Sequence, residues 1–370
     1  MTQKARVADP RSRLKELGGD VLSQLEKRKN PAVALPVRSL SNIYFDEKHK
    51  IIQLGTKVSQ RSYMNVAHTK KFMQTMMVAA ECKKLLDQKQ NTTTSIRDLY
   101  YILKRTLPGT DENSFEEQAD SDPVLEDIEA AMNTLRENLH LKAEQKGKLA
   151  GPIILKDLKF ETQADGAKMG SSGWGIPSIV EADTIEFGKC DAHFILMVEK
   201  DAIWQRLNED RFWQKHKCLV LTAGGQPDRG TRRLINRLHT ELKLPVYVLT
   251  DADVWGYYIY SVIKQGSINL SFVSDRLGTP EAKFLGLTTQ DVAQFTIPKN
   301  VVIKLNEGDK KRAQELLNYV WFKPAPWQRE IKHMLHVGYK LELEALSAKD
   351  IRFISEKYLP QKIKNEEFLP

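Results

Sequence analysis

The sequence predicts an α/β protein with an α+β N-terminal part, the first portion a winged helix and the second built on a parallel sheet. Three observations predict it. Apolar residues recur at three- and four-residue spacing in three segments between Phe72 and Leu141, and a strand-turn-strand pattern follows. After Gly151 the periodicity changes to short β-rich runs alternating with helical segments. The 370 residues, 41% of them apolar, suffice for two or three folded domains.

Composition narrows the function classes. The 56 Lys and Arg against 48 Asp and Glu leave a net charge of +8, which suits a polyanionic partner. No uninterrupted apolar stretch approaches the roughly 18 residues that span a bilayer, and the start, MTQKARVADPRSR, lacks a signal-peptide apolar region. We expect a cytoplasmic, intracellular protein with no membrane partner. Cys82, Cys190 and Cys218 form no CxxC pair, so neither a disulfide framework nor a zinc site is expected, and each reads as a small buried hydrophobe. His333 and His336 lie one helical turn apart without a third ligand in that helix, so no metal role is assigned to them.

Residues 1–30 hold eight Lys and Arg against four Asp and Glu, with Leu14, Leu17, Val21, Leu22 and Leu25 at near-helical spacing, as in a basic amphipathic arm that packs on another surface or, equally, a frayed terminus. Pro31 and Pro36 mark a linker, and NIYFDEKHKIIQLGTKVSQ (42–60) reads as short strands about a polar turn. Together these form a first part, 1–66. In the second, 67–150, KKFMQTMMVAAECKKLL places Phe72, Met73, Met76, Met77 and Ala80 on one helical stripe. Ser95 and Asp98 then form a capping-box pattern that starts a helix over IRDLYYILKR. Pro123 suits a first helical position ahead of VLEDIEAAMNTLRENLHL. KAEQKGKLAGPIIL reads as a turn between two strands, which completes the order of a winged helix, a common nucleic-acid-binding unit.

In the third part, 151–370, HFILMVEK, KCLVLTAGG and LPVYVLTDAD read as buried strands, with TRRLINRLHTELK and VWGYYIYSVIKQG as helices between or after them. This order implies a parallel sheet with crossover helices, whose sites gather at the carboxyl ends of strands. Glu199, Gly224-Gly225, Asp251 and Asp253 all fall there.

Three constellations carry candidate chemistry. Glu199, Asp251 and Asp253 end strands expected to be neighbours; three carboxylates at one edge repel one another and suit Mg²⁺, a hard cation that bridges phosphate oxygens. The loop GGQPDRGTRR has GxxxxG spacing at Gly225 and Gly230, but Thr231 and Arg232 stand where a nucleotide triphosphatase needs Lys and Ser or Thr, so that reading is excluded; a phosphate contact at the helix start and a plain strand-to-helix turn both remain open. In IRDLYY, Arg97 precedes Tyr100 by three residues and Tyr101 by four, so either hydroxyl can share its helix face. A tyrosine can attack phosphorus while a guanidinium stabilises the charge, and paired aromatics on such a helix can equally be core.

SIRDLYYILKR, VEKDAIW, LTAGGQPDRGTRR and LTDADVWGYYIY, in this order, closely resemble the A-subunit family of topoisomerase VI, the DNA-cleaving subunits of type IIB topoisomerases, which includes the meiotic double-strand-break transesterase. The resemblance runs from about Asn42 to the C-terminus and includes FLGL (284–287), WFKPAPWQREI and EALSAKDIRFISEKYLP. It implies a winged helix like that of catabolite activator proteins, followed by a Toprim domain with a C-terminal helical extension. The nucleophile then falls on Tyr101, its essential arginine on Arg97, and the Toprim acids on Glu199, Asp251 and Asp253, with Gly256 the glycine after the DxD pair. The glycine-rich loop departs from the family pattern, because Gly225, Pro227 and Asp228 match it but a lysine is missing.

The resemblance further implies Mg²⁺-dependent transesterification of double-stranded DNA, leaving 5′-phosphotyrosyl ends. It implies a homodimer in which one protomer's tyrosine works with the other's metal, and a GHKL-type ATPase B subunit in an A2B2 heterotetramer that alone binds ATP. The motifs look archaeal-type, and the arm at 1–30 is the expected docking surface for the B subunit. Two rival readings are a Toprim metal-dependent nuclease, for which Tyr101 is only core, and a non-enzymatic winged-helix DNA-binding protein.

Overall fold

The computed structural model describes residues 9–88 and 92–370, so the first eight residues of the expected basic arm lie outside it. Two compact units emerge. One takes in the chain up to Tyr44 with Gln53–Glu144 and Ile268–Phe272; the other comprises Phe45–Ile52, Gln145–Ser267 and Val273–Pro370.

In the first unit, Asp9 caps α1 (Pro10–Glu26) by accepting from the Arg11 N–H. Leu14 is buried among α2 (Val66–Asp87), α3 (Ile96–Leu103) and α4 (Gln118–Met132), beside Val78, Leu99 and Ile128. Residues 10–26, expected within a separate arm, therefore belong to the core that carries the tyrosine pair. Strand β1 (Ala32–Pro36) precedes β2 (Ile43–Asp46) and β3 (Ile51–Leu54), whose inner residues and polar DEKHK turn are counted in the second unit, and β4 (Val58–Ser62) pairs antiparallel with β1. Buried ion pairs brace this unit: Arg38 meets Asp127 and Glu126 at 2.7 Å each, and Arg61 also reaches Asp127.

Three local expectations need correction. The buried stripe of α2 runs through Phe72, Thr75, Val78, Ala79, Cys82 and Leu85, while Ala80 is exposed. Two overlapping apolar rows share Phe72, and α1 and α4 pack on the one through Val78, Ala79 and Cys82, with Met76 and Met77 of the other partly buried beside it. Pro123 lies inside α4, because Glu117 and Asp120 form a capping box that starts the helix earlier; its far end stops at Met132, where Asn133 turns left-handed at φ 45°. The expected strand-turn-strand after this helix does not form a hairpin. Strand β6 (Leu141–Lys142) pairs parallel with β5 (Thr94–Ser95), whereas β7 (Lys148–Ala150) joins the second unit's main sheet. Leu149 and Ala150 find there a larger apolar face than a two-stranded wing offers.

The second unit continues through β8 (Ile153–Asp157), β9 (Thr162–Asp165), β10 (Trp174–Gly175) and β11 (Ile185–Cys190) to β12 (Phe194–Val198). Helices α5 (Asp201–Glu209) and α6 (Phe212–His216) lead to β13 (Cys218–Thr222), then α7 (Arg229–Leu242), β14 (Val246–Leu249), α8 (Val254–Gln265) and β15 (Lys283–Gly286). The main sheet has the order β10-β7-β13-β12-β14-β15, with β13, β12, β14 and β15 parallel and β7 antiparallel to β13. Strands β12 and β13 are buried along their whole length, as parallel strands covered on both faces must be. Strands β8, β9 and β11 form a separate antiparallel sheet.

Cys82 and Cys218 are buried and Cys190 is only half-buried, which corrects its expected core role; none is in a disulfide. His333 Nδ1 lies 2.7 Å from the Thr289 hydroxyl, a structural contact. Among the described residues no helix is long and apolar enough to cross a membrane.

Candidate active site

Register alone assembles the acidic edge. Val198 sits between Thr222 of β13 and Leu249 of β14, so the residues that follow each strand leave the sheet side by side. The Glu199 N–H donates to the Leu249 carbonyl at 2.9 Å, and the Glu199 carbonyl accepts from the Gly225 N–H at 2.7 Å. The next link is between the acids, for the Asp251 N–H donates to Glu199 Oε2 at 3.0 Å. Asp253 caps α8 by accepting from the Gly256 N–H at 2.6 Å. A β-carbon on Gly256 would lie 2.3 Å from the Asp251 carbonyl oxygen, so only glycine lets α8 start this close to the strand end.

Desolvation governs the charges here. Burial, with Asp251 nearby, pushes Glu199 up to about 7. Burial likewise raises Asp251 to about 6 against the pull of the Leu343 N–H and Lys200, and it raises Asp253 against the Gly256 N–H. Lys200 answers this accumulation: its ammonium lies 3.0 Å from Asp251, 2.7 Å from Glu344 and 3.2 Å from Glu342. The Leu343 N–H donates to Asp251 Oδ1 at 2.8 Å, and Leu341 exchanges backbone hydrogen bonds with Ala252. Sequence reasoning missed Lys200 and the 341–344 segment. The lysine directly after Glu199 was its one available signal; nothing local marks a segment ninety residues downstream.

The donor chemistry fits a hard divalent cation: oxygen ligands, partly desolvated, mutually repelling, with a cation already drawn among them. Among the described residues no group of three or more His, Cys, Asp or Glu side chains is placed to hold a metal ion. Mg²⁺ needs none, since it is held through one or two carboxylates and keeps several waters.

The tyrosine pair sits on α3, whose start carries the expected capping box, with the Asp98 N–H donating to Ser95 Oγ at 2.9 Å. Tyr100 is buried, donating its hydroxyl to the Glu116 carbonyl at 2.7 Å and accepting from Lys104 at 2.9 Å. Tyr101 is 61% exposed, and Arg97 is exposed on the same helix without a hydrogen bond or ion pair among the described residues. Helical spacing left both hydroxyls open; tertiary packing occupies one and leaves the other in solvent.

The loop after β13 holds Gly224 and Gly225 at φ 58° and 112°, the conformation that glycine adopts most readily. Asp228 then caps α7 by accepting from the Thr231 N–H at 3.1 Å. Arg232 is fully buried, with Nε and Nη2 unpartnered, and burial lowers it to about 10.

The chain matches two family models. Residues 70–141 match the model described as type IIB DNA topoisomerase, and residues 194–363 match the model of the Toprim domain found in the topoisomerase 6 A subunit and Spo11. It is 41% identical over 368 residues to the A subunit of type 2 DNA topoisomerase 6 from Pyrococcus horikoshii, covering 97% of this chain and 94% of the relative. Proteins of the same name from Pyrococcus abyssi and Hyperthermus butylicus are each 42% identical, covering 97% and 95% of this chain and 94% and 93% of theirs.

Proposed function

Because the chain belongs to the family of type 2 DNA topoisomerase 6 A subunits, we propose that it is the DNA-cleaving component of an ATP-dependent type IIB topoisomerase with Tyr101 as its nucleophile. The observation that carries this reading is the exposed Tyr101 on a capped helix beside a buried Tyr100 whose hydroxyl is already hydrogen-bonded. Tyr101 Oη attacks a DNA phosphorus and forms the Tyr–O–P bond as the P–O3′ bond breaks. The phenolic proton leaves and the departing 3′-oxygen gains one, giving a 5′-phosphotyrosyl end and a free 3′-hydroxyl. The tyrosyl ester keeps the phosphodiester's energy, so resealing runs the same step backwards. Arg97 stabilises charge on the phosphate.

Of Glu199, Asp251 and Asp253, one or two at a time would hold Mg²⁺, whose chemistry there would be electrostatic stabilisation of the scissile phosphate and 3′-oxygen. Lys200 keeps Asp251 charged and oriented. The functional division we propose gives Tyr101 to the first unit, whose core includes residues 10–26, and the acids to a Toprim domain with its C-terminal extension in the second. The working assembly we infer is a homodimer on double-stranded DNA, joined by two GHKL-type ATPase B subunits as A2B2, with ATP bound by the partner. The exposed face of α1, with Leu22 and Leu25 at 62% and 48% exposure, is the proposed docking surface for that partner.

A denaturant-trapped cleavage assay tests this reading, with supercoiled plasmid, Mg²⁺, ATP and the B subunit. Wild type should leave protein covalently on 5′ ends, and Tyr101→Phe should not. Equal cutting by both with free ends would instead assign the acids to activating water, as in a nuclease.

A further inference from the structure

Away from the acidic edge, the second unit contains a cavity of about 500 Å³ lined by residues the cleavage reaction does not use. Its size falls within the range of small-ligand pockets, about 300–1,000 Å³. One wall is aromatic, with the rings of Phe45 and Trp321 6.3 Å apart. Two polar atoms in this lining are buried and unpartnered: Trp321 Nε1, a donor, and Gln265 Oε1, an acceptor, on residues only 7% and 5% exposed. An orphaned buried polar group costs roughly 1–3 kcal/mol, so a donor and an acceptor unpartnered on two lining residues would gain from a ligand edge with the opposite pattern that reaches them.

Charge gives the other half of the ligand. Lys50 and Lys323, both exposed, line the cavity with Lys264, whose ammonium donates to the Ala282 carbonyl at 2.7 Å. Burial, with Lys50 and Lys283 nearby, lowers Lys264 to about 8 against the pull of Glu281, so it remains a cation at neutral pH. Lysines are point-charge partners of phosphate. Glu47, at the exposed rim, opposes a second or third phosphate while offering an acceptor to hydroxyl groups.

We propose that this cavity binds a nucleoside monophosphate, its base against Phe45 and Trp321 with its edge read by Trp321 Nε1 and Gln265 Oε1, and its phosphate at Lys50 and Lys323. The Toprim-bearing chain thereby carries its own nucleotide site, separate from its acids and from the ATP site assigned to the partner.

Isothermal titration of the full chain in EDTA, which removes any metal-dependent binding at the acids, tests the proposal with AMP, GMP, CMP, UMP, adenosine, ATP and inorganic phosphate. At least one monophosphate should bind with unit stoichiometry, tenfold or more tighter than adenosine, ATP or phosphate. Lys50→Glu and Lys323→Glu alter exposed side chains, and each should weaken binding at least fivefold with an unchanged melting temperature. Gln265→Leu should narrow the preference among the four bases. Phosphate binding as tightly as any monophosphate, indifference to both lysine variants, or no binding by any probe would overturn it.

Discussion

Tyr100 and Tyr101 hold their rings 5.0 Å apart on one helix, yet the first hydroxyl is spent on the Glu116 carbonyl and Lys104 while the second faces solvent. The two phenylalanine substitutions should therefore separate. Tyr101→Phe should abolish covalent DNA attachment without changing the melting temperature. Tyr100→Phe should retain attachment and lose about 1 kcal/mol of stability, the usual worth of a buried hydrogen bond. Cleavage gels and thermal unfolding of the same preparations decide it, and loss of attachment in Tyr100→Phe alone would reverse the assignment.

Alanine favours helices over glycine by about 1 kcal/mol, yet Gly256→Ala should destabilise the second unit. Its β-carbon would press on the Asp251 carbonyl at 2.3 Å and on Thr250 Oγ1 at 2.9 Å. Relieving that contact should cost roughly 1–3 kcal/mol, as other overpacking does, and shift Asp251 and Asp253 apart. Denaturant unfolding gives the cost, and plasmid cleavage should fall with it. An alanine variant as stable and active as wild type would mean the α8 start is freer than its geometry implies.

Glu181 is clasped by Arg233 and Arg276, each reaching Oε2 at 2.8 Å. Burial would raise its carboxyl, but the arginines outweigh that and hold it below the usual 4.5. A depressed carboxylate stabilises the fold fully above its unfolded pKa and loses that contribution as pH falls through the lower, folded value. The stability gap between wild type and Glu181→Gln should accordingly stay flat from pH 7 to about 5, at roughly 1–3 kcal/mol, and close below about 4.5. Urea denaturation across that range reads it directly; a gap that widened on acidification would contradict the clasp.

Deleting the N-terminal arm should do more than weaken assembly. Leu14 and Val21 are buried in the first unit, and the Arg13 guanidinium donates to the Met132 carbonyl, so removing residues 1–30 should unfold it. The substitutions Leu22→Asp and Leu25→Asp alter an exposed face instead. They should preserve the melting temperature and reduce retention of the B subunit in a pull-down several-fold, whereas undiminished retention would move the docking surface elsewhere.

What the sequence by itself determined lies in runs of local pattern. The strands ending in Glu199 and Asp251, the crossover helices α7 and α8, and the Ser95–Asp98 capping box follow from hydrophobic period and short-range hydrogen bonding, which act within a few residues. The motif order also carried the family. Tertiary structure decided everything that depends on which distant surface arrives. Packing chose which α2 stripe is buried and which tyrosine is exposed, and it drew Leu149 and Ala150 into the larger sheet rather than into a wing. It also brought Leu343 and Glu344 beside Asp251 and Lys200. Period and propensity specify a face, but burial is settled only when a second face excludes water from it, and that partner can lie ninety residues away.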